Sequence, residues 1–301
     1  MVLINLVGRF NGAGVESDIK ILEHVLTKMG HKVTCTNTVE KSRYFAIHKK
    51  VLFDVNLFIG SPEPLYFPVA KRNILKPNQE IICSLEGLDA VFTKTRYAEG
   101  IFQKKGIKTH YIGFSSLDRF LPNSVKEPFI LHTTSRSHLK GTPLVIETWK
   151  KYLDMPHLVI LISPIFKSLI IDLPHVTWIN TFLPEEELLL LQNRALYHLC
   201  PSYTEGFGHT IGEALSTGAL VITTNAPPMN ELVTEERGVL IPWTNATPSG
   251  MGEAFYSKPE QLREAVLRAV SLKDKKQRCL QARRFFENLE NSLKQHLSPL
   301  L

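Results

Sequence analysis

Short β-branched runs alternate with amphipathic segments along this chain, and after a break at Leu121-Pro122-Asn123-Ser124 the alternation starts again. That pattern restricts the fold more than any other feature. Before the break, Val2–Val7, Lys32–Thr36, Val51–Ile59, Ile81–Ser84, Asp89–Thr93 and Lys108–Ile112 read as strands. Helical spacing joins Ile19, Leu22, Leu26 and Met29, stopped by Gly30, and a second helix is expected over Arg96–Lys105. After the break, Phe129–Thr133, Leu158–Ile162, Val176–Ile179, Ala195–Cys200 and Leu220–Thr223 read as strands, with helices over Pro143–Tyr152 and Pro184–Gln192. A β-α alternation of this kind predicts parallel sheets covered by helices on both faces, here in two doubly wound halves separated by a cleft. The expected division is residues 1–124, residues 125–273, and a C-terminal helix from 274 to 301 that packs back toward the first domain. Phe286, Leu289, Leu293 and Leu297 form the apolar stripe of that helix.

Composition narrows the class. The chain has 301 residues, 44% hydrophobic and 21% charged, as expected of a globular protein with sizeable cores. No apolar run approaches the roughly 18 residues that a membrane-spanning helix requires. The opening Met-Val-Leu-Ile-Asn-Leu-Val has no basic stretch and no cleavage site, so it is expected to be a strand and not a signal peptide. Cys35, Cys83, Cys200 and Cys279 lie far apart and form no metal-ligand spacing, which suits reduced thiols in a cytoplasmic protein. The net charge of +6 is uneven. Residues 1–125 hold 17 Lys and Arg against 11 Asp and Glu, while residues 126–301 hold 18 of each. The basic surplus reads either as a solvated face or as a surface for acidic lipid headgroups on the cytosolic side of a membrane. No basic-aromatic interleaving accompanies it, so nucleic acid is not an expected partner.

The chemistry concentrates in Pro201-Ser-Tyr-Thr-Glu-Gly-Phe-Gly-His-Thr-Ile-Gly-Glu-Ala-Leu-Ser-Thr-Gly218. A strand running into a glycine-bearing loop that opens a helix builds a phosphate-binding corner, because free N–H groups and the helix dipole meet there. Gly206 and Gly208 let backbone approach a ligand closely, with Phe207 between them. Glu205 and Glu213 bracket the turn, and a dinucleotide loop needs neither. Singly, Glu205 reads equally as a surface turn residue and Glu213 as a first-turn dipole partner. Together they suggest a ligand with hydroxyls as well as phosphates, such as a sugar nucleotide.

The Glu205–Ala214 stretch resembles the signature of the retaining glycosyltransferases of the GT-B fold, the group often labelled family 4. Their Glu-Gly-Phe-Gly-x4-Glu-Ala element is matched at every fixed position. Gly14-Val-Glu-Ser falls where such enzymes place a glycine-rich turn, and Arg136-Ser-His-Leu-Lys140 where they place a donor-site Arg and Lys, four positions apart instead of the usual five. The resemblance implies two Rossmann-like domains facing a cleft. It implies a hexose moved from a nucleoside diphosphate sugar, UDP- or GDP-linked, to a sugar, lipid-linked or other hydroxyl acceptor. Glu205, Arg136 and Lys140 would carry the reaction, with Glu213, Gly206, Phe207, Gly208 and Gly14 holding the donor. His132 and His138, close to the donor loop, read as structural or exposed. Family members often carry a histidine near the acceptor loop, where this chain has Glu63-Pro64 without one. Glu63 either orients an acceptor or caps the next helix, and Lys71 and Asn78 are further acceptor-side candidates. No Asp-x-Asp pair occurs in the sequence, so no metal and no cofactor are expected. The competing expectation is a sugar-nucleotide-binding or scaffolding protein of the same fold that has no catalytic activity.

Overall fold

The computed structural model describes residues 1–10, 14–38, 50–134 and 136–301. They form two compact units. Unit 1 comprises Met1–Ser116, Ser249–Gly252 and Asn288–Leu301, and unit 2 comprises Leu117–Pro248 and Glu253–Glu287.

Unit 1 is built on a six-stranded sheet of β1 (Leu3–Gly8), β2 (Lys32–Asn37), β3 (Phe53–Gly60), β4 (Ala70–Pro77), β5 (Ala90–Thr93) and β6 (Thr109–Tyr111), in the order β2-β1-β3-β4-β5-β6. Every neighbouring pair is parallel. Helix α1 (Gly14–Lys28) buries Ile19, Ile21, Leu22, Val25 and Leu26, and stops at Gly30, whose φ of +83° suits a residue without Cβ. Helix α2 (Arg96–Gln103) is capped by Thr95, which accepts from the Ala98 amide. Inside the sheet a chain of side-chain amides crosses four strands. Thr36 Oγ1 donates to Asn5 Oδ1 at 2.7 Å, Asn5 Nδ2 to Asn56 Oδ1 at 3.0 Å, and Asn56 Nδ2 to Asn73 Oδ1 at 2.9 Å. Buried amides satisfied in this way admit one register only, since a one-residue slip would strand each of them.

Strand β4 departs from the sequence pattern. The expected strand at Ile81–Ser84 is irregular chain, with Ile82 78% exposed, and the place beside β3 is taken by Ala70–Pro77. Lys71, Arg72 and Lys76 hide the strand from an apolar count. Their charges are met elsewhere: Lys71 pairs with Asp54, Arg72 donates to the Leu300 carbonyl, and buried Lys76 pairs with buried Asp18. Pro77 ends the ladder because it offers no N–H.

Unit 2 repeats the plan with β7 (Glu127–Thr133), β8 (Leu158–Leu161), β9 (Val176–Ile179), β10 (Ala195–Cys200), β11 (Leu220–Thr224) and β12 (Gly238–Ile241). The strands are parallel and ordered β12-β11-β10-β7-β8-β9. Helices α3 (Thr142–Lys151), α4 (Glu185–Arg194), α5 (His209–Ser216), α6 (Met229–Leu232) and α7 (Pro259–Ser271) follow, with strands β13 (Asn245–Ser249) and β14 (Gly252–Tyr256) before α7 forming a hairpin whose tip, Ser249–Gly252, belongs to unit 1. Trp149, Ile160, Leu199, Ile222, Leu262 and Val266 lie in one buried cluster, and Trp149 Nε1 donates to the Pro156 carbonyl at 3.0 Å. Strand β12, the hairpin and α7 had no counterpart among the sequence-based expectations. Helix α8 (Lys275–Leu297) belongs to unit 2 up to Glu287 and to unit 1 from Asn288. Among the described residues no helix is long and apolar enough to cross a membrane.

Candidate functional site

The strand order of unit 2 locates its site. The chain runs from β7 outward through β8 and β9, then returns to place β10 on the other side of β7. The loops after β7 and β10 therefore part in opposite directions at the carboxyl end of the sheet, the crevice in which open α/β sheets receive ligands. Those two loops carry Lys140 and Glu205.

Both loops are tightly tied. Gly141 opens α3 at φ +73°, and a Cβ there would lie 2.0 Å from the Pro201 carbonyl oxygen, so only glycine permits this approach. The Tyr203 amide donates to the Leu139 carbonyl at 2.8 Å. From β11, Thr223 Oγ1 donates to the Cys200 carbonyl at 2.7 Å and Thr224 Oγ1 to the Ser202 carbonyl at 2.8 Å. Within this frame Lys140 Nζ lies 2.6 Å from Glu205 Oε1, which also accepts from Ser202 Oγ at 2.6 Å. The two side chains are about one-tenth exposed, 12% and 10%. A cation and a carboxylate are thus held at the mouth of the crevice with little freedom and limited access to water.

Gly208, at φ +107°, turns the chain into α5, whose first amides and dipole face the same end of the sheet. Gly206, Phe207 and Gly208 are buried. Glu213 lies one turn inside the helix and accepts from Gln192 Nε2 at 3.1 Å. The Cys200 thiol registers the arrangement: burial, opposed by Lys140 and reinforced by Glu205 and Glu213, pushes its pKa to about 12. All three charges therefore act on the end of β10.

His132 supports the loops from beneath. Its Nδ1 lies 2.9 Å from the Leu199 carbonyl and its Nε2 2.9 Å from Thr142 Oγ1. A carbonyl accepts only, so Nδ1 carries the proton and Nε2 accepts from the threonine. Burial, with Lys140 adding to it, lowers the imidazole to about 4, and the ring ties β7, β10 and α3 together in its neutral form. His138 is exposed with its ring 4.5 Å from that of Phe166. Arg136 is exposed, with its guanidinium 5.4 Å from the ring of Phe182.

In unit 1 the switch point lies between β1 and β3. Gly14 opens the helix after β1, Glu63 follows β3, and Asn78 follows β4, so these three belong to the carboxyl end of that sheet. Gly12, two positions before Gly14, lies outside the described residues. Glu63 holds the cap position of the 3-10 turn Pro64–Val69 without a side-chain capping bond. Lys71 is at the opposite end, the second residue of β4, paired with Asp54 at 2.8 Å. Asn78 Oδ1 accepts from Lys94 Nζ at 2.6 Å. Lys94, Lys76 and Asp18 form a buried cluster that no sequence argument brought together, since all three come from different elements. Among the described residues no group of three or more His, Cys, Asp and Glu side chains is arranged to hold a metal ion.

Three solved structures align with the chain over most or all of its length. The sucrose-phosphate synthase of Thermosynechococcus elongatus aligns over 100% of this chain and 98% of its own, with TM-score 0.73 and 14% identity. A glycosyltransferase from Rickettsia africae ESF-5 aligns over 99% and 97%, with TM-score 0.70 and 14% identity. The chain has the GT-B fold. The pneumococcal O-GlcNAc transferase GtfA, solved in complex with UDP and GlcNAc, aligns over 86% of this chain and 58% of its own, with TM-score 0.64 and 12% identity. By sequence, residues 171–284 match the family described as Glycosyl transferases group 1, a segment that includes Glu205 and Glu213 and leaves Lys140 outside. No curated protein matches the chain in sequence.

Proposed function

We propose that this GT-B protein is a retaining glycosyltransferase that moves a hexose from a nucleoside diphosphate sugar to a hydroxyl acceptor without a metal. The observation that carries the reading is the convergence of Lys140 and Glu205 at the switch point of the unit 2 sheet, beside the N-terminus of α5. A diphosphate set against that N-terminus meets free amides and a helix dipole. Lys140 supplies a point charge to the same oxygens, whose negative charge grows as the sugar–phosphate bond breaks, so it stabilises the transition state more than the bound donor. Glu205, held by Ser202 and Lys140, accepts hydrogen bonds from hexose hydroxyls, and Glu213 accepts from the ribose diol. Arg136, on the same loop as Lys140, is a second cation for the diphosphate. The leaving phosphate takes the acceptor proton on the face from which it departs, which retains the anomeric configuration. The segment match to Glycosyl transferases group 1 supports the reaction class, and the similarity to a transferase solved with UDP and GlcNAc makes UDP-linked sugars the first donors to try.

Turnover of a panel of UDP- and GDP-hexoses, with the product anomer assigned by NMR, tests the reading. Glu205→Gln and Lys140→Ala are each expected to lower turnover by about a hundred-fold or more. Inversion at the anomeric carbon, a requirement for a divalent ion, or full activity in both variants refutes it. A second reading, a sugar-nucleotide binder without catalysis, is favoured by Arg136, whose guanidinium is engaged with the Phe182 ring. Thermal protection by a nucleotide sugar without its consumption would establish that alternative. The basic surplus of residues 1–125 supports contact with an acidic membrane bearing a lipid-linked acceptor, in the cytoplasm; vesicle binding lost at high salt tests it.

A further inference from the structure

The side-chain partner of Glu213 is itself oriented by a buried cation. Gln192 donates from Nε2 to Glu213 Oε2 at 3.1 Å, and its Oε1 accepts from Arg119 Nε at 2.8 Å. Gln192 is 4% exposed and Arg119 6%. A guanidinium has donors only, so the glutamine must turn its oxygen to Arg119 and its nitrogen to Glu213. The flipped amide would set donor against donor at one end and acceptor against carboxylate at the other. Arg119 therefore decides which group Glu213 meets.

The rest of the neighbourhood holds both ends of this relay. The Arg119 amide donates to Ser216 Oγ at 2.9 Å, and Ser216 Oγ donates to the Glu213 carbonyl at 2.7 Å, so Arg119 is anchored to the helix that carries Glu213. Asn193 Nδ2 donates to the Arg119 carbonyl at 2.6 Å. His198 Nε2 lies 2.9 Å from the Gln192 carbonyl; burial keeps that ring neutral, with a pKa of about 3, so it donates. Arg119 Nη1 reaches Glu185 on α4. Its Nη2 is buried with no partner among the described residues. A charged side chain kept in so dry a place with a donor unused is poorly explained by stability alone.

Resting on the donor-site reading of Glu213 above, we infer that Arg119 and Gln192 are positioning residues for nucleotide binding. They clamp Oε2 of Glu213 and leave Oε1 to take the hydrogen bonds of a ribose diol. The ligand class this relay selects is a ribonucleoside diphosphate over its dideoxy counterpart.

Titration calorimetry with UDP, GDP and their 2′,3′-dideoxy forms tests the relay. Gln192→Glu keeps an acceptor for Arg119, and with it the local fold, but turns a carboxylate toward Glu213; Gln192→Leu removes both bonds. Each is expected to weaken the ribonucleotide about ten-fold, while the dideoxy form changes less than about two-fold. In a Glu213→Gln background, Gln192→Leu should add less than about two-fold, because the effect passes through Glu213. In turnover the loss should fall on KM for the donor and not on kcat. Equal losses for ribo and dideoxy ligands, or additive effects with Glu213→Gln, overturn the inference. A crystal structure of the Gln192→Leu protein gives a reading independent of any ligand: an unchanged Glu213 rotamer also overturns the relay. Failure of the unaltered protein to bind any of the four nucleotides refutes the proposed function and leaves the relay to that structure.

Discussion

Gly141→Ala is the most informative single change in this molecule. Two costs follow from the geometry. The residue sits at φ +73°, where an L side chain adds roughly 1–2 kcal/mol of backbone strain. The added Cβ would also meet the Pro201 carbonyl oxygen at 2.0 Å. Real Cβ atoms do not come closer than 3.0 Å to a neighbour, so the loops carrying Lys140 and Glu205 must part by about 1 Å. Overpacking of this kind costs roughly 1–3 kcal/mol. The total, about 3 kcal/mol, lowers Tm by roughly 6–12 °C for a unit of this size. The effect on chemistry is larger in proportion, because a displacement of about 1 Å between groups that act together costs on the order of a hundred-fold in rate. Gly218 is the control. It lies in the same unit at φ +65° with nothing within 4 Å of its Cβ position, so Gly218→Ala carries the strain alone. Thermal melts and kcat/KM for a nucleotide sugar, measured on both variants, separate the two terms. If Gly141→Ala matches Gly218→Ala in stability and in kcat/KM, the two loops are not held in register by this contact and the reasoning fails.

Three further outcomes follow from buried titratable groups. His132 and His198 are held neutral, at about 4 and about 3 against 6.5, so the unfolded chain binds protons first as pH falls below 6.5. Their contribution to stability is complete above pH 6.5 and is lost on acidification. Each loses roughly 3 kcal/mol between pH 7.5 and 4.5, and denaturant melts of His198→Gln should show a shallower pH slope than the unaltered protein. In unit 1, Asp18→Asn leaves the Lys76 and Lys94 ammonium groups buried without their shared carboxylate and should cost about 3–5 kcal/mol. Lys76→Met should be close to neutral, since Lys94 stays 3.2 Å from Asp18; chemical denaturation of the two variants decides, and equal losses would contradict the account. Cys200, with its thiol pushed to about 12 by burial, should resist alkylation at pH 8 in the native protein and react once the chain is unfolded.

Much of this architecture could be read along the chain. Val176–Ile179 and Ala195–Cys200 are strands with the expected bounds: the first is a β-branched and aromatic edge strand, and the second is a largely buried central one whose run reads as strand whatever surrounds it. The helix at Gly14–Lys28 follows from its own periodicity and its glycine stop. The Gly206-Phe207-Gly208 turn and the two glutamates were legible as well, since a strand, a tight turn and a helix start are local events. Where burial depended on a distant partner, local reading failed. Ala70–Pro77 carries three cations and is still a strand, as Asp54, Asp18 and the Leu300 carbonyl receive them. Ile81–Ser84 is apolar and is not a strand, as the position beside β3 is already filled.

The sequence alone determined the repeated β-α plan, the parallel sheets and the residue types of the Glu205–Glu213 corner, because periodicity and backbone conformation are properties of neighbours in the chain. Only the tertiary structure decided which of those residues come together. Lys140 and Glu205 are 65 positions apart, and they meet because β10 returns to the side of β7 away from β8. The same return lets Gly141 rest on Pro201 and lets Arg119 orient Gln192 against Glu213. Arg136, four residues from Lys140, packs its guanidinium over Phe182, a contact that its place in the sequence did not foretell.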